Sequence, residues 1–398
     1  MNDSAFLLQE PAARSSSLRV GVVSETFPPE INGVSMTVGK LVSALQDRHY
    51  HVQLIRPRQG PADRPQKGEK LEEILCRGLR IPRYAGLQFG LPAKRVLSRL
   101  WRLWRPDVVH IVTEGQLGWS ALAAATEHRL PDATGFQTNF HSYSEHYRVG
   151  FLRKPVAAYS RNFHNRALVT MVPTEAMRRD LARRGYRNLR VVSLDVDSRL
   201  FSPARRDPAL RASWGVGDAP VALYVGRLAS EKNLALVAKA FDAMRKHDPA
   251  CKLVWVGDGL RRAALQRRFP DHIFAGMRTG AELAAHYASA NVFLFPSLTE
   301  TFGNVTLEAM ASGLAVVAYD YAAAALHVEH GARGVLAPYA NADAFSCRAA
   351  ALAADPDCLF RLRAGARAAA ERLDWERVFD DYERVLDEVI RAQRASHG

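Results

Sequence analysis

Two doubly wound α/β domains in tandem, facing a central cleft, are what this chain predicts. Three observations carry that reading. At 398 residues the chain exceeds one compact core and fits two. Short β-branched runs alternate with amphipathic helical stretches along most of its length. The alternation stops once, at a polar, proline-containing connector from Asp195 to Pro220, and then restarts at Val221-Ala222-Leu223-Tyr224-Val225-Gly226.

Residues 1–17 contain a single four-residue apolar patch, Ala5 to Leu8, with acids on both sides. They read as a flexible leader and not as a secretory signal. The first domain, 18–195, is predicted from strands at Leu18–Ser24, Val52–Ile55, Asp107–Val112, Ala133–Gln137 and Leu168–Val172. Helices are expected around Ser35–Arg48, Leu117–Arg129, Pro155–Ala167 and Thr174–Arg184, and together these make a parallel-sheet domain whose pattern of elements ends near Val192. The second domain, 196–374, is predicted from strands at Val221–Gly226, Lys252–Val256, His272–Ala275, Val292–Phe295, Ala315–Ala318 and Gly334–Leu336, each pair separated by a helical stretch. The tail, 375–398, is one long helix with Val378, Tyr382, Val385 and Val389 at helical spacing. Both halves are Rossmann-like, and ligands bind such sheets at the carboxyl ends of the strands, so the cleft between the domains is the expected site.

A hydrophobic fraction of 48% and a charged fraction of 24% exclude a wholly disordered chain. The net charge of +13 suits an anionic partner, whether a phosphorylated ligand, a nucleic acid or an acidic membrane surface; an arginine bias over solvated helix faces accounts for it as well. Cys76, Cys251, Cys347 and Cys358 form no C-x-x-C pair, so reduced thiols are expected, without disulfides or structural metal. No run is long enough to span a bilayer, and any membrane contact would be peripheral.

The stretch SLTETFGNVTLEAMASG, Ser297 to Gly313, carries the chemistry. The strand before it ends at Pro296, and Gly303 and Asn304 sit at the mouth of the following helix. Such a mouth offers backbone N–H groups and partial positive charge to a diphosphate. Glu300 precedes the mouth and Glu308 lies about one turn inside, so two carboxylates bracket an anion site and can accept hydrogen bonds from sugar or ribose hydroxyls. In VGRLASEKN, Arg227 follows a strand and Lys232 opens the next helix; cations there can neutralise a leaving diphosphate. Taken singly, Arg227 or Lys232 is more often a surface charge, and a glutamate pair at this separation is expected by chance in a chain of this size.

Together GRLASEKN, WVGDG, FPSLTETFGNVTLEAMASG and the N-terminal SETFPPEINGVSMTV resemble the large retaining glycosyltransferase family numbered four, from about Arg19 to Val389. The resemblance implies the GT-B fold, a nucleotide-diphosphate sugar donor held mainly by the C-terminal domain, an acceptor on the N-terminal side, a C-terminal helix that packs back towards the N-terminal domain, and no metal or other cofactor. It also implies a hexose, mannose or glucose from a GDP-mannose or UDP-glucose type of donor, moved to a lipid or cell-envelope glycan, with no nucleic-acid partner. Carried over by position, Glu300 resembles the residue that holds donor-sugar hydroxyls, Glu308 the one that binds ribose, and Arg227 with Lys232 the diphosphate clamp. Gly226, Gly257, Phe302, Gly303, Asn304 and Val305 belong to the same donor motifs. Gly33 resembles the residue whose missing Cβ lets donor and acceptor approach closely. Same-face attack, with the departing phosphate taking the acceptor proton, follows from the resemblance; no protein nucleophile is apparent.

Departures from the family pattern are local. Gln137 stands where relatives carry histidine, and His141 and His146 are candidate substitutes. Gln137, His141 and Asp197 are the candidate sugar or acceptor contacts. Asp195-Val196-Asp197 replaces the usual Gly-Val-Asp, and YDYAAAALHVEHG replaces a Gly-Gly-x-x-Glu-like segment. Asp-Val-Asp also fits the metal-binding Asp-x-Asp of the other main glycosyltransferase fold, although its position at the connector suits that fold poorly. A nicotinamide dehydrogenase would show G-x-G-x-x-G at the first βα turn, where GVVSETFPP stands instead. A sugar-nucleotide epimerase and a non-catalytic basic protein binding membranes or polyanions are the remaining alternatives.

The segment Pro92 to Pro106, PAKRVLSRLWRLWRP, places Val96, Leu97, Leu100, Leu103 and Trp104 on one face among Lys94, Arg95, Arg99, Arg102 and Arg105. This is the pattern of an interfacial helix on anionic lipid, and packing on its own sheet would produce the same apolar stripe. With relatives that glycosylate lipids, it leads to the expectation of a cytoplasmic protein, peripheral on the cytoplasmic face of the inner membrane.

Overall fold

The computed structural model describes residues 18–80, 88–137, 153–373 and 375–396. Contacts divide the chain into two compact units. One holds the described residues up to Thr134 together with the end of the last helix from Glu388; the other runs from Gly135 to Asp387.

The first sheet is built from β1 (Arg19–Val23), β2 (His51–Pro57), β3 (Leu71–Cys76), β6 (Val108–Ile111), β7 (Asp132–Gly135), β8 (Val169–Val172) and β9 (Leu189–Val191), in the order β3-β2-β1-β6-β7-β8-β9. Its β1–β2, β1–β6, β2–β3, β6–β7 and β8–β9 pairings are parallel. A small antiparallel ribbon, β4 (Gly78–Arg80) with β5 (Gln88–Gly90), stands apart. The predicted strands appear to within a few residues. β3, β9 and the ribbon are additions, and the reason for β3 is long-range. Leu71-Glu72-Glu73-Ile74-Leu75-Cys76 buries a glutamate, Glu73, because Arg56 on the neighbouring β2 donates to it at 2.9 Å and to Asp63 at 2.7 Å. A carboxylate without that partner could not be buried at acceptable cost.

The second sheet is β10 (Val221–Val225), β11 (Lys252–Val256), β12 (Ile273–Gly276), β13 (Val292–Phe295), β14 (Ala315–Tyr319) and β15 (Gly334–Ala337), all parallel, in the order β12-β11-β10-β13-β14-β15. Its strands are near-continuous apolar runs, as sheets covered by helices on both faces require. Tyr224, Trp255, Tyr287 and Phe293 are fully buried in its core. The connector expected between the domains is more ordered than its composition suggests. It contains a helix, Pro208–Ser213, capped by Asp207 and tied by buried Arg211, whose guanidinium donates to the carbonyls of Ser289, Gly217 and Ala219.

The basic segment is a helix, Lys94–Trp104, but its buried face differs from the expected one. Leu97 and Trp101 are wholly buried, whereas Val96 is 56% and Leu103 83% exposed among exposed Arg95, Arg99 and Arg102. The predicted stripe mixed two faces: Leu97 and Trp101, four residues apart, pack inward, while Val96 and Leu103, seven apart, share an outer one. The last helix, Trp375–Ala395, ends with Gln393 donating to the Arg129 carbonyl at 3.2 Å.

Candidate active site

Strand order in the second sheet runs outward in both directions from the adjacent pair β10 and β13, so the loops leaving their carboxyl ends diverge at the reversal point. The loop after β10 begins at Gly226, whose φ of 149° few L-residues adopt. Its backbone touches that of Gly257, after β11: a Cβ on Gly257 would lie 2.1 Å from the Gly226 carbonyl oxygen. Close backbone approach therefore requires a glycine at 257, and the backbone conformation favours one at 226.

Arg227 follows, its carbonyl accepting a hydrogen bond from the Tyr224 hydroxyl at 3.1 Å and its guanidinium paired with fully buried Glu231 at 2.9 Å. Lys232 closes a single 3-10 turn, Ser230–Lys232; the helix proper starts later, at Leu234, after left-handed Asn233. The expected helix-opening lysine is thus held by a tight turn that leaves it buried beneath the β13 loop.

That loop supplies its partners. Lys232 Nζ donates to Glu300 Oε1, and also lies 3.4 Å from Ser297 Oγ, which itself donates to Glu300 Oε1 at 2.7 Å. The Glu300 carbonyl accepts from the Tyr321 hydroxyl at 2.9 Å, and the Leu298 carbonyl from Tyr339 at 2.9 Å. Gly303, with φ 97°, is the N-cap of the helix Asn304–Ala311, and no side chain caps it. The first turn of that helix, at Asn304 and Val305, carries the positive end of the helix dipole. Buried Phe302 packs edge-on against His327, and a small pocket beside Glu300 is lined by Ser297, Phe302, Thr306, Tyr319, Tyr321 and Ala322. Half-buried Glu308 accepts from the Tyr287 hydroxyl at 2.9 Å.

Burial, reinforced by Glu300 and Glu231, holds the Tyr224 hydroxyl well above its ordinary range; burial and Glu308 do the same for Tyr287. Both remain donors at any physiological pH. Arg227, Lys232, Glu300, Gly303 and Asn304 therefore surround the reversal point, and Glu308 lies behind them on the same helix. Ser297, Glu231 and the four tyrosines were not anticipated. Tyr224 sits inside an apolar strand and reads as core, and the other three tyrosines lie tens of residues from the groups they bond.

The remaining candidates lie elsewhere. Gly33 begins the helix Gly33–Asp47 in the first unit, and a Cβ there would meet nothing within 4 Å, so packing does not explain a glycine. Gln137 lies two residues beyond β7, half-buried. Asp197 Oδ1 accepts from the amides of Arg199 and Leu200 at 3.1 and 3.0 Å, a local turn, and Asp195 Oδ1 accepts from Val196 at 2.6 Å. His141 and His146 fall outside the described residues.

Residues 219–355 match the family model described as glycosyl transferases group 1, and residues 31–200 match glycosyltransferase family 4. A GDP-mannose-dependent alpha-mannosyltransferase of Mycolicibacterium smegmatis is 36% identical over 310 residues, covering 76% of this chain and 80% of that protein. An alpha-monoglucosyldiacylglycerol synthase of Acholeplasma laidlawii is 29% identical, covering 80% of this chain and 84% of the relative. Among solved structures, a sucrose-phosphate synthase from Thermosynechococcus elongatus superimposes with a TM-score of 0.76 at 19% identity, over 94% of this chain and all of that one. The fold is therefore GT-B, with two parallel-sheet Rossmann-like domains.

Proposed function

This chain belongs to glycosyltransferase family 4 and is a glycosyltransferase; from that premise we propose that it moves a hexose, with retention of anomeric configuration, from a nucleotide-diphosphate sugar to a lipid or lipid-linked glycan. The observation that carries the reading is the meeting of Lys232 and Glu300 at the reversal point of the second sheet, beside the uncapped helix at Gly303. GDP-mannose is the first donor to try, since relatives named for it share 33–36% identity; the glucosyldiacylglycerol synthases support a lipid acceptor.

In this reading the diphosphate lies against the amides of Asn304 and Val305, with Arg227 and Lys232 supplying fixed positive charge. Glu300 accepts hydrogen bonds from sugar hydroxyls, and Glu308 from the ribose. An acceptor hydroxyl attacks the anomeric carbon on the face the diphosphate leaves. A C–O bond forms as the anomeric C–O bond to phosphate breaks, and the acceptor proton passes to the departing phosphate oxygen. Negative charge grows on the diphosphate during this step, so cations fixed in advance stabilise the transition state more than the ground state. The chain's own cations serve the leaving group, and turnover is expected to persist in EDTA. The exposed face of the helix Lys94–Trp104, with Arg95, Arg99 and Arg102 around Leu103, supports peripheral contact with anionic lipid.

The test is a thermal-shift panel of GDP and UDP sugars, followed by NMR of the product made from the best donor. Stabilisation by one activated hexose and an axial product from an axial donor are expected. An inverted product, or no stabilisation by any nucleotide sugar, overturns the proposal.

A further inference from the structure

We propose that Tyr287 is a positioning residue for nucleotide recognition: its hydroxyl sets the orientation of the Glu308 carboxylate and so controls how well the ribose diol is read. The inference rests on the reading of Glu308 as the ribose acceptor. Tyr287 lies on the helix Gly280–Ala288, outside both loops that form the site, and is fully buried. Its ring is wedged between Phe201, edge-on with centroids 5.7 Å apart, and Phe293 at 5.9 Å, which fixes the direction of its O–H. That O–H reaches Glu308 Oε2 at 2.9 Å, with the Val305 carbonyl at 3.5 Å. A group wholly shielded from solvent cannot itself touch a donor in this arrangement, so any effect on donor binding passes through Glu308.

The chemistry is specific. A carboxylate reads a vicinal diol best when its plane and lone pairs are held in advance, because rotation about its last bonds would otherwise be frozen on binding. A neutral phenol donating to one oxygen holds that plane and leaves lone pairs on both oxygens for the sugar. The phenol persists as a donor, since ionising it would set a buried anion beside the Glu308 carboxylate. Ribose contacts are made equally in ground and transition states, so losing them should raise KM and spare kcat.

The experiment measures steady-state kinetics of the full chain with its best nucleotide-sugar donor and with the 2′-deoxy form of that donor. The variants are Tyr287→Phe and Glu308→Asp, which keeps the charge but withdraws it from the phenol; Glu308→Ala serves as reference. Tyr287→Phe is expected to raise the donor KM roughly five- to tenfold with kcat changed less than about twofold, and to shrink the preference for the ribo over the 2′-deoxy donor. Glu308→Asp should behave alike, and it decides the question if Tyr287→Phe does not fold. An unchanged KM, an undiminished preference, or a loss confined to kcat overturns the role of Tyr287. If Glu308→Ala also leaves KM and preference intact, the ribose assignment of Glu308 itself is wrong; if Glu308→Ala abolishes the preference while Tyr287→Phe does not, only the present inference falls.

Discussion

Lys232 Nζ donates to Glu300 Oε1 across 68 positions of sequence, joining the loops that leave β10 and β13 where the strand order reverses. The pair is largely buried, with side-chain exposures of 10% and 16%. Removing one partner therefore strands the other, at a cost of about 3 kcal/mol. Lys232→Ala and Glu300→Ala should each lower kcat by about a hundredfold or more and also lower stability. Lys232→Met combined with Glu300→Gln should restore much of the melting temperature without restoring turnover. Activity returning with stability would reduce the pair to a structural tie.

A left-handed alanine lines the pocket beside Glu300. Ala322 has φ 53°, a region that costs an L-residue energy and glycine almost none. It falls in YDYAAAALHVEHG, Tyr319 to Gly331. Ala322→Gly should raise stability by about 0.5–1 kcal/mol, read by urea unfolding. A loss of stability would mean that the methyl's packing outweighs its strain.

In the first unit, Glu25 caps the helix Gln116–His128 from a distance, its Oε1 accepting from the Leu117 amide at 3.0 Å. Burial, with a smaller push from Glu114, outweighs the bonds from the Leu117, Gly90 and Gly118 amides and lifts this carboxyl from 4.5 to about 7. The folded chain therefore holds a proton that the unfolded chain releases between those values. The stability this confers is full below about pH 4.5 and is lost as pH rises through about 7, amounting to roughly 2–3 kcal/mol. Glu25→Gln keeps an acceptor for Leu117 without the charge. Its stability relative to the parent should rise by that amount between about pH 5 and about pH 8. A pH-independent difference in urea denaturation would refute the account.

Membrane contact is testable on the helix Lys94–Trp104. Each arginine near an anionic surface contributes about 1 kcal/mol, so the triple change of Arg95, Arg99 and Arg102 to glutamine should weaken binding to phosphatidylglycerol vesicles by a hundredfold or so. Leu103→Ser should weaken it further. All four positions are exposed, so the melting temperature should hold. Vesicle sedimentation that is indifferent to these changes would remove the helix from the interface.

Periodicity and local chemistry made most of the architecture legible. Alternating apolar runs marked the strands of the second sheet to within a residue or so, and Gly303-Asn304 after Pro296 marked a helix mouth, because a strand's burial and a helix's start are written in neighbouring residues. β3 stayed hidden because Glu73 looks like a surface residue until Arg56 is brought beside it by strand pairing. The outward side of the basic helix was misread for the same reason: Trp101 is core only because the helix Gln116–His128 packs against its own. The motifs nominated Arg227, Lys232, Glu300 and Glu308 one by one, but the pairing of Lys232 with Glu300 came from strand order. That order sets which loops share a crevice, and tertiary packing set Tyr287 against the Glu308 carboxylate and Tyr321 against the Glu300 carbonyl, contacts that no spacing rule predicts. Chain-local forces choose the elements; contacts between residues far apart in sequence form only after those elements pack, so the ionic tie and its tyrosine supports belong to the folded molecule.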